Sequence, residues 1–86
     1  MNRAILRHEI ANASRNLADL YAASLSLACT QRRIAGEYRT WAREAEAAGN
    51  LAHYRRYAPM ARETFRAAID NLNWARHYRD LAEWRQ

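Results

Sequence analysis

The chain has 86 residues, a formal net charge of +5 and 50% apolar residues by class. That is enough for one small helical domain with a thin core, spanning residues 1–86. A mean hydropathy of −0.66 and the lack of a long apolar run argue against a membrane span. A single cysteine excludes an internal disulfide and fits a cytoplasmic setting.

Nineteen of the apolar residues are alanine, valine is absent, and all 14 basic residues are arginine. This composition favours helix over strand. A GC-rich coding sequence is the simpler account of the arginine excess, and selection for planar contacts to phosphate or carboxylate is the alternative. The excess is spread over both halves of the chain, so there is no basic tail.

The first predicted helix runs from about residue 2 to residue 48. Its apolar stripe steps four and three residues through Leu6, Ile10, Ala13, Leu17, Leu20, Ser24, Leu27, Gln31, Ile34, Tyr38, Trp41, Ala45 and Ala48. A seam of that period lets one helix lie along another. The stripe turns polar at Ser24 and Gln31, and a break near 24–31 would give a three-helix bundle instead. No glycine or proline falls there, which favours one long helix.

Gly49 and Asn50 supply a left-handed C′ position and then an N-cap, so the second helix, about 51–85, folds back antiparallel. Its stripe is Leu51, Tyr54, Ala58, Ala61, Phe65, Ala68, Ile69 and Leu72. Pro59 within it predicts a kink. After Asn73 the large residues change phase, to Trp74, Tyr78 and Leu81. Counted from the turn, these come level with Leu25, Tyr21 and Ala18, beside Ala22 and Cys29. Two helices gaining a second apolar side at one height predict an interface made of Ala18, Tyr21, Ala22, Leu25, Cys29, Trp74, Tyr78 and Leu81.

Chemistry is harder to find. His8, His53 and His77 have no ligand partner at metal spacing, Cys29 sits in an apolar stretch that suggests buried packing, and two glycines cannot make a phosphate loop. Most acids stand three or four residues from an arginine, as ordinary helix-surface pairs do. No enzyme, metal or cofactor is expected. Two arginine trios, Arg32, Arg39, Arg43 and Arg55, Arg62, Arg66, repeat one spacing near the turn and form a candidate basic docking patch for phosphates or an acidic protein.

Residues 45–54 resemble the inter-helix turn of tetratricopeptide hairpins, yet no repeat of about 34 residues follows, which excludes that family. In size and simplicity the chain is similar to small helical proteins encoded by phages and mobile elements, inhibitors of host defence among them. The expected fold is an all-α antiparallel helical hairpin that completes a bundle by dimerising. The expected role is a non-enzymatic module that binds another protein or itself, docking on a larger partner or occluding it. Nucleic-acid binding through the arginine end and a structural role in a larger assembly are the alternatives.

Overall fold

A computed structural model describes residues 3–84, with side chains from residue 13 onward. Leu6, His8 and Ile10 therefore lie outside the described side chains. Two helices make up the fold, α1 (Arg3–Ala47) and α2 (Leu51–Trp84), packed antiparallel in a rod of 69 × 15 × 14 Å. At about 1.5 Å per residue, α1 alone accounts for the length of the rod. It passes through Ser24–Gln31 unbroken, so the three-helix alternative is not adopted.

The turn is built as its residues predict. Gly49 takes φ 72°, its N–H donates to Glu46 O at 3.1 Å, and Asn50 N–H donates to Ala45 O at 2.8 Å. This pair of bonds is the Schellman motif, which satisfies carbonyls left over at the end of α1. Asn50 then caps α2, its Oδ1 accepting from His53 N–H at 3.2 Å. One residue thus ends one helix and starts the next. α2 runs through Pro59 without restarting. The Arg55 carbonyl, deprived of its usual donor by Pro59, belongs to an exposed residue that water reaches.

The seam differs from the predicted stripe. Leu17, Ser24, Gln31, Tyr38 and Ala45 do face inward, but the positions between them are shifted by one residue. Tyr21, Ala28, Ala35 and Ala42 turn toward α2, while Leu20, Leu27 and Trp41 are 44%, 48% and 45% exposed. On α2 the inward line is Tyr54, Tyr57, Ala61, Thr64, Ala68, Asn71, Ala75, Tyr78 and Ala82. Leu51, Phe65, Ile69 and Leu72 of the predicted stripe stand outside it.

The reason is steric. Alanine every seventh residue lets two backbones approach closely, and the large side chains are displaced to the shoulders of the contact. Counted outward from the turn, Ala45 comes level with Tyr54, Ala42 with Tyr57, Tyr38 with Ala61, Gln31 with Ala68 and Ala28 with Asn71. A large or polar side chain repeatedly faces an alanine, which is how a narrow seam fills without voids. The alanine line also keeps phase to the end of α2. The apparent change after Asn73 exists only among the large residues.

Candidate interaction faces

A two-helix rod has two broad sides, and here they differ in chemistry. On the first side, Tyr38 and Trp41 of α1 meet Tyr57 of α2, with ring centroids 6.3 and 5.5 Å apart. Trp41 continues the heptad column of Leu20, Leu27 and Ile34. On α2 the matching column beside Tyr57, Asn71 and Tyr78 is Met60, Ala67, Trp74 and Leu81. Trp74 is 53% exposed and stacks on Tyr78 at 5.9 Å. This is the apolar face. Heptad position puts Glu37, Glu44, Glu63 and Asp70 along its rims, with Arg56 as the only arginine there among the described residues.

The second side is the arginine face. Arg32, Arg39 and Arg43 of α1 and Arg62 of α2 line one open groove of about 740 Å³, with Tyr54 and Phe65 in its α2 wall. Gly36 lies in the groove and contributes no side chain, and a Cβ there would meet nothing within 4 Å. Heptad spacing places Arg15, Arg55, Arg76 and Arg79 on the same side of the rod. The charge is therefore sorted across the hairpin rather than gathered at its turn end.

These guanidinium groups are not tied up in the surface pairs that the spacing suggests. The one ion pair among the described residues is Arg79 Nε to Asp80 Oδ1 at 3.6 Å, between two exposed neighbours. Exposed pairs of that kind contribute about 0–1 kcal/mol.

Of the predicted apolar interface, Tyr21 and Tyr78 enter the seam, and Leu25 and Leu81 are half-buried at its shoulders. The rest is divided. Trp74 and Leu81 lie on the apolar face, whereas Ala18, Ala22 and Cys29 are exposed on the arginine side. Cys29 is therefore not buried packing as predicted, because its helix column points away from α2. Of the predicted basic patch, Arg32, Arg39, Arg43 and Arg62 come together in the groove. Arg55 extends the Arg62 column, and Arg66 stands on the outer edge of α2. The predicted stripe puts Leu20, Leu27, Ile34 and Trp41 inside the hairpin, whereas they form half of a face. The signal was present as Ala28, Ala35 and Ala42, an unbroken alanine heptad beside them.

No protein-family model, curated protein or solved structure matches this chain. Its two faces are therefore read on their own chemistry. Among the described residues no three of His, Cys, Asp and Glu gather as a metal site would require, and no helix is long and apolar enough to cross a membrane.

Proposed function

We propose that this protein is a non-enzymatic docking module whose apolar face binds another protein surface. The observation that carries this reading is the inversion of its core. Among the described residues, the buried apolar residues are Leu17 and six alanines, while Leu20, Leu27, Trp41 and Trp74 on the apolar face, and Phe65 and Ile69 on the arginine side, are each roughly half exposed. Alanine burial returns little free energy against about 1–2 kcal/mol of backbone entropy per ordered residue. A hairpin packed this way gains most of its available hydrophobic stabilisation only when the shoulders are covered. Tryptophan and tyrosine flanked by charged rims are also the usual anchors of protein interfaces. Inhibition by occluding a larger partner, or service as a structural subunit, both follow from one such face.

The test is capture with a matched set of baits. Wild type and Arg39→Glu retain the partner, and Trp74→Glu loses it. A partner held equally by Trp74→Glu removes the apolar face from this role.

A second reading is supported by the groove. Four guanidinium groups beside Tyr54 and Phe65 suit a phosphate-bearing strand, with charge along the backbone and rings for stacking. Retention on heparin that falls steeply with salt, and falls further in Arg32→Ala/Arg39→Ala/Arg62→Ala, supports it. No retention at low salt ends it.

A further inference from the structure

The apolar face has an internal pattern. Its side chains fall into four layers when counted from the turn, Trp41 with Met60, Ile34 with Ala67, Leu27 with Trp74, and Leu20 with Leu81. The middle of that set is the polar contact between Gln31 and Asn71, where Asn71 Nδ2 donates to Gln31 Oε1 at 2.8 Å. Asn71 Nδ2 also lies 3.1 Å from Ala67 O. Both contacts use the Asn71 amide nitrogen. Asn71 Oδ1 and Gln31 Nε2 remain as an acceptor and a donor on the same layer.

From this arrangement we propose that the occupant of the apolar face is a second copy of this chain, laid antiparallel to form a four-helix bundle. The two-fold axis crosses the Gln31–Asn71 layer. This deepens the docking reading above and rests on it. Rotation about that axis lays α1 on α1 of the second copy and α2 on α2. Trp74, the largest side chain of the strip, then meets Ala67 of the second copy, its smallest. Leu27 meets Ile34, Trp41 meets Leu20, and Met60 meets Leu81. Each tryptophan thus faces a smaller side chain, and the other two contacts pair side chains of similar volume, as close packing allows.

The rims agree with the same orientation except at Asp70, which comes level with its own mate. Glu63 comes level with His77 of the second copy, and Arg56 with Trp84, which is 83% exposed in the hairpin. Glu37 comes level with Ala23. Turning the second copy to the same direction brings Glu37 against Glu63 but also Glu44 against Arg56, so the choice between the two rests on Trp74, which then meets Leu27 of the second copy instead of Ala67. Near the axis, the free Gln31 Nε2 donor of each copy lies on one layer with the free Asn71 Oδ1 acceptor of the other, so the two amides pair crosswise rather than each with its own mate. A polar layer in an otherwise apolar interface is a known means of fixing register and orientation. The strip from Leu20 to Trp41 covers about 30 Å of helix. A two-helix face of that length buries on the order of 800 Å² per copy, the size of a standard stable interface. Both arginine faces are left outward.

Sedimentation equilibrium on the full chain tests the occupant. The expected mass is twice the 10.0 kDa of one chain, and a single-chain mass at concentrations of about 100 μM overturns the proposal. The wider docking reading is judged separately, by the bait set above. Trp74→Glu is expected to be monomeric. Ala67→Trp fills the space assigned to the second copy's Trp74 and is expected to weaken association at least about tenfold. A dimer indifferent to both overturns the assignment of the face.

Orientation is read without disturbing the strip. A single spin label at Ala47→Cys in a Cys29→Ser background lies about 50 Å from its mate in the antiparallel arrangement. A separation under about 25 Å, with both turns at one end, overturns that arrangement.

Discussion

Asn71 and Gln31 are 40 residues apart in sequence and joined by a 2.8 Å hydrogen bond across an otherwise alanine-rich seam. Both are half-buried, and no buried side-chain nitrogen or oxygen lacks a partner among the described residues. A seam of alanines fits itself almost equally well when slid by one heptad. The amide pair does not, because sliding strands one amide against a methyl group. Asn71→Ala is therefore expected to destabilise the protein by about 1–3 kcal/mol, leaving the Gln31 carbonyl without its donor. The double variant Gln31→Leu/Asn71→Leu should recover or exceed wild-type stability while losing a single register. Urea unfolding followed by circular dichroism measures the first effect. Broadened amide spectra in nuclear magnetic resonance report the second.

The two glycines should respond to alanine in opposite directions. Gly49 sits at φ 72°, where an L side chain costs about 1–2 kcal/mol of backbone strain. Gly49→Ala is expected to lower the melting temperature although a Cβ there meets nothing within 4 Å. Gly36 lies inside α1 with the same free space and ordinary helical backbone. Gly36→Ala is expected to stabilise by about 0.5–1 kcal/mol, because alanine loses less chain entropy on entering a helix. Thermal melts of the two variants check both signs together.

The helices, their direction and the turn were legible in the sequence because each rests on local chemistry. Gly49 and Asn50 can do little else at a helix junction, and the absence of proline or glycine from 24–31 left α1 no place to stop. The seam was only half legible. Leu17, Ser24, Gln31, Tyr38 and Ala45 follow from period alone. The choice between Leu20, Leu27, Trp41 on one side of them and Ala28, Ala35, Ala42 on the other does not. Hydrophobicity favours the first set, and close helix approach favours the second. In a two-helix rod the second wins, since large side chains in the seam would hold the backbones apart while gaining cover on one side only. The same misplacement hid the apolar face. The arginine groove was more visible, because Arg32, Arg39 and Arg43 keep helical spacing whichever way the seam is turned.

If alanine is what the seam requires, enlarging it should cost more than truncating the shoulders. Ala75 is 1% exposed and Ala35 5%. Ala75→Leu and Ala35→Leu are each expected to destabilise by about 1–3 kcal/mol through overpacking, despite adding apolar surface to a helix. Leu51→Ala and Phe65→Ala remove larger groups from sites that are 59% and 50% exposed, and should stay within about 1 kcal/mol of wild type. Equal destabilisation of the two classes would mean that the leucines and phenylalanine, and not the alanines, hold the helices together.

Charge sorting across the rod makes the last expectation a comparison of faces. Arg39→Glu and Arg62→Glu reverse charge in the groove, where Arg32 and Arg43 remain beside them. Glu37→Arg and Glu63→Arg reverse it on the opposite rim. If polyanions are drawn to the groove, the first pair should elute from heparin at markedly lower salt, and the slope of affinity against salt should flatten by roughly one unit for each phosphate no longer neutralised. The second pair raises the net charge by as much as the first lowers it. Retention that simply tracked net charge would therefore shift the two pairs by equal and opposite amounts. A site in the groove predicts a large drop for the first pair and a much smaller rise for the second, and salt-gradient elution of the four variants distinguishes the two outcomes.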